Sequence, residues 1–285
     1  MPIDLDLTLP LTSHLMDEIT TLVSKAAAAI LAIDSSIVAK RIKSDLSPVT
    51  AADDAAQSVI LEGLSRLLPG VPVVSEEASG PTQPLELGAT FVLVDPLDGT
   101  REFLAGRDEF TVNVAIVTQG RPVFGCIAAP VFGLIWRGII GQGAERLELP
   151  AGADADACRS RTIIRTRRSP EQSVVIAVSR SHLDLQTERF LTQFPQAKRI
   201  ICGSSLKFCR VAEGSVDLYP RLAPTREWDI AAGHAIVAAA GGIVSTMSGE
   251  PLAYGRWADG FRVPGFVAFG DPVAAERFSQ LAHSS

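Results

Sequence analysis

The segment Asp95-Pro96-Leu97-Asp98-Gly99-Thr100 places two carboxylates three residues apart, directly after the apolar run 91–94. Carboxylates held that close repel one another unless a cation lies between them. An oxygen-rich ligand set without thiolates suits magnesium. Pro96 fixes its own φ, and Gly99 lets the backbone approach a ligand closely. Residues 101–104 can then open a helix whose free N–H groups face an anion. The same six residues would also serve as an ordinary polar turn after a strand, and taken alone they leave both readings open.

Three further acidic positions bear on the choice. Glu76-Glu77 directly follows the run 71–74, Asp53 falls on the first turn of a helix, and Asp229 stands beside Trp228 at the start of an Ala-rich helix. Each has a commoner explanation: a solvated strand end for the Glu pair, an N-terminal cap or dipole partner for the two Asp. Carboxylates gathered at strand ends and helix starts are also what a multi-metal site requires. The chain contains no G-x-x-x-x-G-K-[ST] phosphate loop, no G-x-S-x-G elbow and no H-E-x-x-H.

The elements that must position these groups follow from periodicity. Residues 15–33 carry apolar side chains at helical spacing. Thr50 opens a second helix, running to 68, with Asp53 in the arrangement of a capping box, and Pro69-Gly70 stops it. Residues 71–74 read as a short strand. Residues 91–94 read as a buried strand that delivers Asp95 to its C-terminal end. Residues 110–117 and 123–128 read as paired strands. The polar stretch 151–169 is a candidate boundary between an N-terminal α+β half, residues 1–160, and a C-terminal α/β half, residues 161–285. In the second half, strands at 174–178, 199–202 and 216–219 alternate with helices at 184–194, after 205, and at 229–240. The last helix ends at Gly241-Gly242. The expected class is mixed α/β or α+β.

The chain has 285 residues, is 47% hydrophobic and carries a net charge of −6. Such a length suffices for a large core. The negative balance argues against non-specific nucleic-acid binding, which needs excess Lys and Arg. Cys126, Cys158, Cys202 and Cys209 form no C-x-x-C pair, so a zinc site is not expected. Scattered thiols suit a reducing cytosol. The start Met1-Pro2-Ile3-Asp4 lacks the basic region of a secretory signal. The apolar stretches 26–33 and 235–244 fall well short of the roughly 20 residues that span a bilayer. A cytoplasmic protein without an integral membrane segment is expected; peripheral contact with the inner membrane face stays open.

Taken together, Glu76-Glu77, Asp95–Asp98 with Gly99-Thr100, and Trp228-Asp229 resemble the signature of the lithium-sensitive, magnesium-dependent phosphatase superfamily that includes inositol monophosphatase and fructose-1,6-bisphosphatase. The similarity spans roughly residues 26–269. It is greatest to the 3′(2′),5′-bisphosphate nucleotidase branch of CysQ type, through Ser47-Pro48-Val49-Thr50-Ala51-Ala52-Asp53, Ser75 before the Glu pair, Ser179-Arg180-Ser181-His182, Gly203-Ser204-Ser205-Leu206-Lys207 and Leu218-Tyr219-Pro220-Arg221. The resemblance implies a layered αβαβα sandwich with the active site between its halves. It implies two magnesium ions, the first on Glu76, Asp95 and the Leu97 carbonyl, the second on Asp95, Asp98 and Asp229. A third, weaker ion would lie near Glu77 and Asp53. Thr100, oriented by Asp53, would position the attacking water, and the Gly99 and Thr100 N–H groups would bind phosphoryl oxygens.

Gly203, Ser204, Ser205 and Lys207 would take the second phosphate, His182 the ribose or adenine, and Arg221 the pocket wall. The implied activity is hydrolysis of adenosine 3′,5′-bisphosphate to AMP and phosphate, with 3′-phosphoadenylylsulfate as a related substrate. Inositol monophosphate or a sugar phosphate is the alternative, and a non-catalytic nucleotide- or metal-sensing module is a third reading. Inhibition by lithium and by calcium is expected, and the chain is expected as a monomer or a homodimer.

Overall fold

The computed structural model describes residues 9–42, 48–78, 87–170, 173–181 and 184–283. Helix α1 (Ser13–Leu31) begins with Thr12, whose hydroxyl accepts from the Leu15 N–H at 3.1 Å. Short strands β1 (Lys40–Ile42) and β2 (Pro48–Thr50) pair antiparallel, and β2 delivers Thr50 to the start of α2 (Ala51–Leu67). The capping box expected there is formed: Asp53 accepts from the Thr50 N–H at 2.7 Å while the Thr50 hydroxyl caps the first turn.

Next come β3 (Val73–Ser75), a 3₁₀ turn (Glu76–Ala78), β4 (Thr90–Asp98), a short α3 (Thr100–Leu104), β5 (Thr111–Thr118), β6 (Arg121–Ala129), β7 (Leu134–Ile139), β8 (Gly143–Glu148) and β9 (Ser160–Ile164). These seven strands form one sheet in the order β3-β4-β5-β6-β7-β8-β9, parallel only between β3 and β4. Strands β7 to β9 were not expected. Arg137 sits at the centre of β7, fully buried, and breaks the apolar run there. Its guanidinium donates through Nε to Glu145 and through Nη1 to Asp17 and Thr20. Strand β9 lies inside the polar stretch 151–169 as the sheet's last strand, with outward-facing residues that carry little apolar signal.

The remaining elements are β10 (Val175–Ser179), α4 (Leu185–Leu191), β11 (Lys198–Cys202), α5 (Leu206–Ala212), β12 (Leu218–Arg221), β13 (Thr225–Arg226), α6 (Glu227–Ala239), β14 (Ile243–Ser245), β15 (Arg262–Val263), β16 (Phe266–Phe269) and α7 (Pro272–His283). A second sheet has the order β11-β10-β12-β16-β14.

Alternation along the strands sorts the core into three layers. Val92, Val94, Val112, Val114 and Ile116 face α1 and α2. Phe91, Leu93, Ala115 and Val117 face the opposite way, into a cluster shared with α5, α6 and the inner face of the second sheet. Ile176, Val178, Leu218 and Val267 pack outward under Phe190 of α4 and Phe278 of α7. The layers therefore run α, β, α, β, α. Helix α6 can lie close on β6 because Gly125 has no side chain; a Cβ there would stand 2.2 Å from the Ala232 carbonyl oxygen.

Candidate functional site

Residues three apart on a regular strand point to opposite faces. Asp95 and Asp98 do not, because β4 carries an irregularity between them. Asp95 pairs with Asn113 and Asp98 with Thr111, so one extra residue of β4 is accommodated at Pro96-Leu97. Since Asn113 and Thr111 are two apart, both carboxylates face the side occupied by α5 and α6. Pro96 suits this place because it has no N–H to lose from a ladder.

Gly99 then turns the chain at φ +98° into α3; a Cβ there would press on Phe110 at 3.3 Å.

Three other elements bring their residues to the same place. Strand β3, parallel to β4, ends at Ser75, and Glu76 follows on the 3₁₀ turn. Helix α6 begins on an extended Arg226, and Asp229 accepts from the Arg226 N–H at 3.0 Å and from the Thr225 hydroxyl. Carboxylate oxygens of Glu76, Asp95 and Asp229 lie within 4.8 Å of one another. Asp53, on α2, reaches in from the far side: its Oδ1 accepts from the Thr100 hydroxyl at 3.0 Å, and its Oδ2 is held by Thr50. Glu77 is Glu76's neighbour on the same turn. The Leu97 carbonyl stands 3.3 Å from the Thr100 hydroxyl.

The electrostatics favour a cation. Burial, then the charges of Glu76, Asp98 and Asp229, push the Asp95 carboxyl well above its usual range. Burial also raises Asp229, with Arg221 opposing and Asp98 adding to it. Burial raises Asp53 against the hydrogen bonds from Thr50 and Thr100. An all-oxygen set of converging carboxylates fits a hard divalent ion.

Glu76, Asp95, Asp98, Thr100 and Asp229 line a cleft of about 510 Å³. Its opposite wall is the loop Gly203-Ser204-Ser205 with Lys207, Tyr219, Arg221 and Arg262. The two serine hydroxyls both donate to Asp98 Oδ2, at 2.9 and 2.8 Å. Lys207 is 3% exposed, and its ammonium donates to the carbonyls of Ser204 and Cys202 beneath the loop. Burial lowers its pKa to about 8. Arg221 keeps its charge: burial opposes it, but Tyr219, Asp229 and Asp98 outweigh that. Its buried Nε has no hydrogen-bond partner within the protein. Ser204 holds φ +51°, in the left-handed region that non-glycine residues seldom enter. His182 and Ser47 lie outside the described residues.

The sequence reading passed over several neighbours of this site. Glu102 is buried and accepts from the Ser181 hydroxyl. Glu109 accepts from Arg180 and from the Gly203 N–H, both at 2.9 Å, and ties the β4–β5 connection to the loop. Thr111 and Asn113 on β5 touch Ser204 and Ser205. The available signal was a polar Asn in the middle of a run otherwise apolar enough to be a central strand.

A model of the inositol monophosphatase family matches residues 12–272. A 3′(2′),5′-bisphosphate nucleotidase CysQ of Shigella flexneri is 40% identical over 254 residues, covering 88% of this chain and 98% of its own. The crystal structure of CysQ from Bacteroides thetaiotaomicron superposes with a TM-score of 0.76 at 34% identity, covering 91% of this chain and 97% of its own. The inositol monophosphatase of an Anabaena species shares the fold, with a TM-score of 0.72 at 22% identity over 95% of this chain and 96% of its own. The motifs, the layered architecture and these likenesses agree, and the chain belongs to the inositol monophosphatase family, a family of metal-dependent phosphatases.

Proposed function

We propose that this chain is a magnesium-dependent phosphomonoesterase that hydrolyses the 3′-phosphate of adenosine 3′,5′-bisphosphate to give AMP, and accepts 3′-phosphoadenylylsulfate as a related substrate. The observation that carries the reading is the convergence of Glu76, Asp95, Asp98 and Asp229 on one cleft, beside the hydrogen bond between Thr100 and Asp53. The substrate class is supported by the curated relatives, which bear the name bisphosphate nucleotidase.

In this reading Glu76, Asp95 and the Leu97 carbonyl would hold one magnesium ion, and Asp95, Asp98 and Asp229 a second. Glu77 and Asp53 would stand near a third. Bound magnesium lowers the pKa of its water and neutralises charge that develops on the transferring phosphoryl group. The chain's own groups do the rest. The Thr100 hydroxyl holds the attacking water and, through its hydrogen bond to Asp53, passes a proton toward that carboxylate. The Gly99 and Thr100 N–H groups receive phosphoryl oxygens. Arg221, with its unpartnered Nε, and Lys207 supply positive charge to the second phosphate, with Gly203, Ser204, Ser205 and His182 shaping the nucleotide side.

The division of labour follows the chain: residues 1–160 carry most metal ligands, and 161–285 carry Asp229 and the loop. No helix among the described residues is long and apolar enough to cross a membrane. The free thiols Cys126, Cys202 and Cys209 are buried, which fits a cytoplasmic setting. No feature of the described residues supports peripheral membrane contact.

The test is phosphate release from adenosine 3′,5′-bisphosphate, inositol 1-phosphate and fructose 1,6-bisphosphate, with and without magnesium. A preference of about a hundredfold in kcat/KM for the nucleotide, roughly 2.7 kcal/mol of differential transition-state binding, is expected. A profile favouring inositol phosphate would keep the metal chemistry and overturn the assignment of the nucleotide side. Asp98→Asn is expected to abolish turnover, which a non-catalytic sensing module would not require.

A further inference from the structure

A carboxylate that holds a metal with one oxygen must have the other held elsewhere, or it will rotate. Asp98 is the last residue of β4, paired with Thr111 after the irregularity at Pro96-Leu97, so the strand places its backbone but leaves its carboxylate to be oriented by side chains. Its Oδ2 accepts from the hydroxyls of both Ser204 and Ser205, so Oδ1 is the oxygen left to face the cleft.

A serine hydroxyl has a single proton, and here two acceptors compete for it. Ser205 Oγ lies 2.8 Å from Asp98 Oδ2 and 3.0 Å from the Asp229 backbone carbonyl. Its third neighbour is the side-chain amide of Asn113, whose Nδ2 donates to it at 2.9 Å. The carboxylate and the carbonyl only accept, and the charged carboxylate is the stronger acceptor; the Asn113 amide fills a lone pair on the other side of Ser205 Oγ and holds the side chain in the rotamer that points its proton at Asp98. Asn113 is itself fixed on both sides. It is 1% exposed in the central strand β5, its backbone pairs in register with Asp95, and its Oδ1 lies 3.0 Å from the Thr111 hydroxyl. Because Ser205 Oγ already faces two groups that only accept, the amide atom that turns to it is the donor Nδ2. A rigid strand therefore dictates, through one hydroxyl, which oxygen of a cleft carboxylate is free.

We propose that Asn113 is a positioning residue for the metal site: acting through Ser205, it holds Asp98 Oδ2 to the loop and presents Oδ1 alone to the cation. The proposal rests on the reading of Asp98 as a metal ligand. It explains why a buried Asn interrupts an otherwise apolar strand: a Leu or Val there has no N–H to hold the Ser205 hydroxyl in place.

The test is magnesium titration of the metal-free, full-length protein by calorimetry, without substrate. The variants are Asn113→Leu, Ser205→Ala, both together, and Asp98→Asn as reference, with thermal midpoints taken in chelator. Asn113→Leu is expected to weaken magnesium binding about tenfold, the lower end for a group that orients a ligand. The double variant should be no weaker than Ser205→Ala alone, because both substitutions cut one chain. Wild-type affinity in Asn113→Leu, or additive losses in the double variant, would overturn the proposal even if the midpoints fall. If Asp98→Asn binds magnesium as the wild type does, the metal reading itself falls and the proposal with it. A crystal structure of the wild type with magnesium answers the same question should the variants not fold. Asp98 bound through one oxygen, with the Ser205 hydroxyl on the other, is expected; both oxygens on the ion would overturn it.

Discussion

The Thr100 hydroxyl donates to Asp53 Oδ1 at 3.0 Å, across 47 residues of sequence. The bond joins the first turn of α2, on one face of the seven-stranded sheet, to the first residue of α3 at the end of β4. Removing either partner should act on the chemical step and not on substrate binding. Thr100→Ala and Asp53→Asn are each expected to lower kcat by about 10²–10⁴ with magnesium saturating, while KM for the bisphosphate stays within a few fold. Steady-state kinetics decide it; an unchanged kcat in Thr100→Ala would remove Thr100 from water positioning.

The raised carboxyl pKa values couple stability to pH and metal. Asp53, Asp95 and Asp229 hold their protons more tightly folded than unfolded, where the value is 3.8. Between that value and the raised folded ones, the folded state binds more protons, so the contribution of these groups to stability falls as pH rises. Magnesium needs the ionised form and relieves the repulsion. The increase in Tm produced by magnesium should therefore be small in acid and grow toward neutral pH. Thermal unfolding along a pH series with and without magnesium reads this directly, and a magnesium shift independent of pH would contradict it.

His234 predicts the opposite sign. Burial within α6 lowers its pKa from 6.5 to about 4, with Nδ1 2.8 Å from the Tyr254 hydroxyl. Unfolded, it takes a proton below 6.5; folded, it does not until about 4. Its contribution is fully present above 6.5 and is lost as pH falls through that window. His234→Gln should flatten the acid side of the stability profile in chemical denaturation at fixed metal. A variant profile parallel to the wild type across that window would mean that the imidazole is protonated in the fold.

Gly125 links the packing of the core to the metal site. A methyl group at this position would meet the Ala232 carbonyl, one turn along α6 from Asp229. Gly125→Ala should destabilise by about 1–3 kcal/mol, as overpacking does, and should weaken magnesium binding because α6 carries a ligand. Denaturation and metal titration of the same variant test both halves; a loss of stability with wild-type metal affinity would show that Asp229 is placed by its own cap and not by the packing of α6.

Sequence alone identified the carboxylates, the capping box at Thr50 and Asp53, the strand that delivers Asp95, and the mixed α/β class, because those rest on local periodicity and on residue types with few chemical uses. The family motifs added the order of layers and the branch. Strands β7 to β9 were hidden because buried Arg137 breaks the run in one and an outward face disguises another. Only the tertiary structure decided that Asp95 and Asp98 share a face, since the extra residue that brings them round is visible only in the pairing with Asn113 and Thr111. Only it decided, too, that the serine hydroxyls of the loop turn to Asp98 and that Lys207 lies beneath the loop. Hydroxyl and ammonium protons go to whichever acceptor is nearest in space, and spatial neighbours 92 or 107 residues apart leave no trace in local pattern.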